Sequence, residues 1–327
     1  MSIFIAMPTM HDTELLPTVF DAFENAKSHD IHFGIRFLSS SPEEEQKLST
    51  LISTFGANIK GYFDYINEDN RLDKIGTGKA RKGVSELYDG EDFVLSIDSH
   101  TKFSKNWDEK LSWLYEDAIN LTGNKKSIIT AYPSKYAYKN EERVLIDNKN
   151  LYPYIGWEEE WDLELYPFLS QPIWQYCLPW MVKDTIEDKR KLIPTGKFSY
   201  NFSFSGENFL YDEDPEMLMM EEDMCKTFKL LNDGWELVYP NTKPIVGHMY
   251  NTEISSEGGG RAYWHHFVSP EEKDMLEQKE MQNFVRYYED PKLQETIKRY
   301  EKWMNVDFKE KSLHNYHVPL DWFHNDI

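Results

Sequence analysis

Short apolar runs alternate with stretches whose apolar positions recur every three or four residues. "IFIAMPT" (3–9) is an apolar run stopped by Pro8 and reads as a first buried strand. Residues 15–27 carry Leu15, Leu16, Val19, Phe20 and Phe23 at helical spacing. Residues 31–39 read as a strand, and 43–56 as a helix with Gly56 as its stop. A short strand at 61–66, a glycine-introduced helix at 76–90 and the strand "DFVLSI" follow. A helix at 107–120 and a strand at 126–134 continue the series. This alternation predicts an α/β fold with a mostly parallel sheet flanked by helices.

The pattern breaks at 135–195, which is rich in Tyr, Trp and acidic residues with scattered prolines. We read it as an insertion over one face that offers an acceptor surface. Strand texture returns at 201–211, followed by a helix at 220–234, a strand at 235–240 and a loop at 243–251. "SSEGGGRAYWHH" (255–266), with three consecutive glycines, reads as a flexible loop. Ser269, Pro270 and Glu272 form a helix start, with an N-cap, a proline at the first helical position and an acid three residues after the cap. Helices are expected from there to about residue 303. The organisation predicted is a catalytic domain over 1–254 and a flexible loop with a C-terminal helical extension over 255–327.

Charge narrows the partners. The 327 residues carry a formal net charge of −21, which weighs against duplex nucleic acid and anionic lipid without excluding a local basic pocket. Two cysteines, Cys177 and Cys225, make neither a disulfide framework nor a zinc knuckle. The N-terminus has no basic flank, and no run approaches the ~20 apolar residues of a membrane span. A cytoplasmic protein with no membrane association is the expectation.

The strand "FVLSI" ends in Asp98, Ser99 and His100. Ligands of open parallel sheets gather past the carboxyl ends of the strands. Residues i and i+2 of an extended stretch point the same way, so one carboxylate and one imidazole converge on one point. Mixed oxygen and nitrogen ligands suit Mn²⁺ or a similar divalent ion. An ion there has a task in glycosyl transfer, stabilising the charge that builds on a leaving diphosphate. The bland alternative is a helix-capping Asp98 and a surface His100.

The segment 78–111 resembles the core of glycosyltransferase families 60 and 27. These are the polypeptide-hydroxyproline N-acetylglucosaminyltransferases and the mucin-type polypeptide N-acetylgalactosaminyltransferases. The elements that carry the resemblance are Ala80-Arg81, Gly90-Glu91, Asp98-Ser99-His100 and Trp107. The opening 3–19 is similar to that of family 60. Residues 202–248 resemble the downstream block of both families, ending in Val-Gly-His. Unlike the mucin-type enzymes, no lectin module is expected after the catalytic part.

The resemblance implies a GT-A type nucleotide-sugar-binding fold and a metal-dependent transfer, with retention, from a UDP-sugar to a hydroxyl of a protein, glycan or modified base. The sugar implied is N-acetylglucosamine or a near relative. Asp98, His100 and His248 are the implied ligands of Mn²⁺ or Mg²⁺. Thr9, Asp12, Arg81 and Ser99 are placed at the nucleotide, with Asp12 alternatively a helix cap. Glu221, Glu222 and Asp223 open a helix, where the macrodipole favours carboxylates anyway; the functional reading has one of them meet the donor sugar or the acceptor. The chain has Met219-Met220-Glu221-Glu222-Asp223 where the families often carry Gly-Gly-Glu, so the donor stays open. Arg261 and His265 follow the triple glycine, where a closing loop would bring positive charge to the diphosphate. Other readings of the same residues are a transferase of this fold with a glycan or modified-nucleobase acceptor, and a non-catalytic binding domain.

Overall fold

A computed structural model describes residues 1–38, 41–63, 77–131, 133–146, 192–195, 198–210, 222–240 and 242–249, and parts of 269–313. The first half runs β1 (Ser2–Thr9), α1 (Leu15–Asn25), β2 (Asp30–Phe37), α2 (Pro42–Phe55), β3 (Ile59–Phe63), α3 (Thr77–Ser85) and β4 (Phe93–Ile97). Then come β5 (Thr101–Phe103), α4 (Trp107–Thr122), β6 (Ser127–Thr130), β7 (Ser134–Lys139) and β8 (Glu142–Leu145). The rest comprises β9 (Leu192–Pro194), β10 (Phe202–Ser205), α5 (Glu222–Asn232), β11 (Glu236–Pro240), β12 (Val246–His248) and α6 (Gln294–Met304), with a short pair β13 (Val306–Asp307) and β14 (Ser312–Leu313).

The main sheet has the order β3-β2-β1-β4-β10-β6-β11-β9. The pairs β1–β2, β2–β3, β1–β4 and β6–β11 are parallel, as the alternation predicts. The sheet is covered on both faces, and period-two alternation sorts its side chains. Ile3, Ile5 and Met7 enter one core cluster with Leu15, Val19, Leu51 and Leu111 from α1, α2 and α4. Phe4 and Ala6 enter the other, with Val84 from α3, Phe228 from α5 and Tyr300 from α6. The C-terminal helix therefore shares the core of the preceding residues, with Phe228 and Tyr300 edge-to-face at 5.4 Å.

Several sequence expectations shift. The strand expected over 201–211 is only Phe202–Ser205 and runs antiparallel between β4 and β6. Its ladder with β4 runs from Phe202 opposite Ile97 to Ser205 opposite Val94. The helix expected over 76–90 stops at Ser85, where Leu87 and Tyr88 donate to carbonyls three residues back and tighten the last turn. Gly56 ends α2 as expected, at φ 60°. Ser269 and Glu272 exchange reciprocal side-chain-to-backbone hydrogen bonds, the capping box the sequence predicts.

The stretch read as a loop, 243–251, contains a strand. β12 is central in a second sheet of order β5-β12-β7-β8. The head of the predicted insertion is the hairpin β7–β8, turning at Asn140 and Glu141 with φ of 51° and 68°. Residues 147–191 of that insertion, and the predicted loop 255–266, lie outside the described residues. Among the described residues no helix is long and apolar enough to cross a membrane.

Candidate metal centre

The site is built where the two sheets meet. Asp98 follows the last residue of β4, so its position is set by a strand buried along its whole length. Three residues on, Thr101 opens β5, and its hydroxyl donates to the Asp98 carbonyl at 2.8 Å, closing the turn between them. His248 is the last residue of β12 and pairs across the ladder with Thr101. The Met249 amide donates to the His100 carbonyl at 3.2 Å and extends that pairing to the histidine itself.

Asp98, His100 and His248 each place a ligand atom within 4.8 Å of the other two. His248 Nε2 lies 3.1 Å from Asp98 Oδ2, and the two imidazoles meet edge-to-face with centroids 4.5 Å apart. Ligands about 2.1 Å from a shared ion and at right angles to one another are about 3 Å apart. The Asp98–His248 spacing fits that geometry, and the donor set of one oxygen and two nitrogens fits a borderline divalent cation.

The surrounding charges are ordered. Arg81, on α3, donates from Nη2 to Asp98 Oδ1 at 3.3 Å and from Nε to Glu222 Oε1 at 3.1 Å. Its guanidinium lies 4.4 Å from the ring centroid of Tyr200, a cation–π contact that keeps the planar group in place. Arg81 is only 7 % exposed, and its Nη1 makes no hydrogen bond among the described residues. Burial works to raise the Asp98 pKa, yet the His248 hydrogen bond and the Arg81 charge hold it well below the usual carboxylate range. Burial pushes Glu222 up to about 8, with the neighbouring Asp223 adding to the effect and Arg81 opposing it.

The two histidines are pulled in opposite directions. Burial lowers His100, but the Asp12 charge and hydrogen bond, with Asp98 and Glu14 behind them, lift it to about 9. Burial and the nearby His100 charge lower His248, against the pull of Asp98. These influences favour the protonated form of His100 and the neutral form of His248.

The other sequence-predicted residues divide. Asp12 takes Ser99 Oγ at 2.6 Å and His100 Nδ1 at 2.7 Å on Oδ2, while Oδ1 accepts from the Glu14 amide at 2.8 Å. Thr9 closes β1 with a buried hydroxyl that has no hydrogen-bond partner among the described residues. Glu222 joins the cluster through Arg81. Asp223 is held by the backbone, its Oδ1 accepting from the Tyr200 amide at 3.1 Å, and its charge acts on both Arg81 and Glu222. Glu221, Arg261 and His265 lie outside the described residues.

Sequence reasoning missed Glu14. Its carboxylate accepts from the hydroxyls of Tyr136 and Tyr138, both at 2.8 Å, and pairs with Arg143 at 3.3 Å. These contacts tie the β7–β8 hairpin to the start of α1, next to Asp12. The only signal in the sequence was the i, i+2 spacing of the two tyrosines, which puts them on one face of a strand.

The family model for glycosyltransferase (GlcNAc) matches residues 70–310. The chain belongs to the GlcNAc glycosyltransferase family. The match takes in Arg81, Asp98, His100, Glu222 and His248, and reaches past the end of α6. Among solved structures, GalNAc-T7 with UDP, GalNAc and Mn²⁺ is similar to this glycosyltransferase-family chain at a TM-score of 0.61 and 14% identity. The alignment covers 94% of this chain and 55% of that one, so the chain spans about half the length of that relative. S. aureus TarS in complex with UDP-GlcNAc aligns at a TM-score of 0.43 and 12% identity, covering 88% of this chain and 72% of that one. A search of curated proteins finds no match. The fold is that of the GT-A glycosyltransferases, with a mixed sheet flanked by helices, as the sequence implied.

Proposed function

We propose that this chain transfers a sugar from a UDP-sugar to an acceptor hydroxyl, with a divalent cation held by Asp98, His100 and His248. The observation that carries this reading is the convergence of those three side chains, brought from two sheets to within 4.8 Å of one another. Family membership supports N-acetylglucosamine as the sugar, and the resemblance to families 60 and 27 supports transfer with retention. GalNAc-T7, which shares the fold, was crystallised with UDP, GalNAc and Mn²⁺.

When bound, the cation supplies positive charge against the diphosphate leaving group. The chain's own residues do the rest. Arg81 adds a permanent charge beside Asp98, and its Nη1, which makes no hydrogen bond among the described residues, is the group to offer a phosphate oxygen. Thr9 and Ser99 stand at the carboxyl ends of β1 and β4, where the nucleoside is expected. Glu222, 3 % exposed and held by Arg81, is the acid best placed to meet the donor sugar. Asp223, occupied by the Tyr200 backbone, positions the start of α5. Under the retaining scheme the leaving phosphate oxygen takes the acceptor's proton, and no side chain serves as covalent nucleophile.

The acceptor is a hydroxyl on protein, glycan or modified base, and the domain over 1–254 with the insertion 135–195 is the proposed unit that receives it. The test is hydrolysis and transfer with a panel of UDP-sugars, with and without Mn²⁺. Turnover of one sugar nucleotide that disappears with chelator and in Asp98→Ala supports the reading. No UDP or UDP-sugar binding under any metal condition overturns it.

A further inference from the structure

Asp12 has both carboxylate oxygens engaged by the protein. Oδ1 accepts from the Glu14 amide, and Oδ2 accepts from Ser99 and from His100 Nδ1. Its carbonyl is held as well, since Lys47 Nζ on α2 donates to it at 3.1 Å. Lys47 is itself paired at 2.6 Å with Glu44, whose side chain is fully buried. A continuous series of contacts thus runs from the core-facing side of α2 through Lys47 and Asp12 to the ring of His100.

This arrangement restricts His100. An imidazole whose Nδ1–H is committed to a carboxylate offers only Nε2 to a cation, with its ring plane fixed and its basicity raised. His248, from the other sheet, faces Asp98 through Nε2 as well. Both rings would then offer the same nitrogen, Nε2, to a cation.

We propose that Asp12 is the positioning residue of the cation site: it holds His100 through Nδ1 so that Nε2 is the ligand atom, and the Glu44–Lys47 pair holds Asp12. This rests on the metal-dependent reading above, and it gives Asp12 a role other than the nucleotide contact implied by family resemblance. Ser99 shares the same carboxylate oxygen, so a nucleoside that draws on Ser99 also touches the group that aims His100.

The test is Mn²⁺ binding to the full chain, followed by the electron paramagnetic resonance signal of the free ion and by pulsed measurements that count imidazole nitrogens on the bound ion. The wild type is expected to show two nitrogens, and Asp98→Ala to lose the ion. Those two results address the functional reading alone. Asp12→Asn keeps the side-chain shape but replaces one acceptor oxygen by a donor. It is expected to weaken Mn²⁺ binding about 10- to 100-fold, as loss of an outer-shell partner does, and to leave one coupled nitrogen, that of His248. A merely structural Asp12 would lower the metal-free melting temperature and leave the nitrogen count at two. Two coupled nitrogens in Asp12→Asn, with Mn²⁺ affinity within about twofold of wild type, would overturn the proposal while the functional reading stood; a twofold change is about 0.4 kcal/mol.

Discussion

His248 and Asp98 are separated by 150 positions in the chain, yet His248 Nε2 and Asp98 Oδ2 are 3.1 Å apart. In the metal-free protein that contact is a hydrogen bond between the same two atoms that would hold a cation. Ion binding would exchange that hydrogen bond for two ligand bonds at the same atoms.

Replacing either partner should therefore cost function more than fold. Asp98→Ala is expected to abolish Mn²⁺ binding and to lower transfer by at least about 100-fold, the scale of losing a principal electrostatic contributor to the transition state. It also leaves Arg81 with one carboxylate partner fewer, so a lower metal-free melting temperature accompanies the loss. Calorimetric titration with Mn²⁺ and a UDP-sugar turnover assay read the two effects separately.

Metal affinity should rise with pH. His100 is lifted to about 9, so below that pH an incoming ion must displace its Nε2 proton. The dissociation constant for Mn²⁺ is expected to fall about tenfold per pH unit between about pH 6.5 and 9. The sign for the metal-free fold is the reverse. A histidine raised on folding contributes stability that is complete below its unfolded pKa and is lost as pH climbs through the folded one. The gap in melting temperature with and without Mn²⁺ should then widen from pH 6.5 to 9, and thermal shift at fixed ion concentration measures it.

Glu222 carries a stability cost that its site accepts. Its pKa rises from 4.5 to about 8 on folding, so its contribution is complete below about 4.5 and disappears as pH rises through 8. Glu222→Gln keeps an oxygen acceptor for Arg81 and removes the ionisation. The variant is expected to gain stability relative to wild type between pH 5 and 8 while losing transfer activity. Denaturant unfolding at both pH values, alongside turnover, tests this directly.

Gly247 precedes His248 in β12 with no room for a side chain. A Cβ there would stand 3.2 Å from the Ser134 carbonyl and 3.3 Å from Tyr136 Cβ, and would clash with the Leu145 side chain. Gly247→Ala is expected to destabilise the fold by about 1–3 kcal/mol, as overpacking does, and to weaken Mn²⁺ binding because His248 moves with its strand. Melting temperature and Mn²⁺ titration on the same sample check both halves.

Much of this site was legible before any coordinates. The apolar run of β4 ends just before Asp98, and the spacing of Asp98 and His100 marks them as a pair, although the structure joins them through the turn between β4 and β5 rather than along an extended strand. Family resemblance supplied His248, but the residue's structural setting was misread: "VGH" is too short and too glycine-bearing to look like a strand, and pairing with β5 and β7 makes it one. The antiparallel β10 was hidden for a related reason, since local pattern records burial and not direction. Asp12 was seen as a capping or nucleotide residue because its partner His100 lies 88 positions away. Beyond the same-face spacing of Tyr136 and Tyr138 the sequence does not mark Glu14, because its tyrosine and arginine partners come from a hairpin more than 100 residues downstream.

The cross-strand register that pairs Thr101 with His248 has a thermodynamic consequence. Both imidazoles belong to one ladder of backbone hydrogen bonds, so their separation is decided when the chain folds. The conformational entropy of gathering the ligands is already accounted for by folding, and an arriving ion has little left to organise. Loosening that ladder, for instance at Gly247, would transfer the ordering cost to the binding step, and the protein would then demand more manganese for the same occupancy.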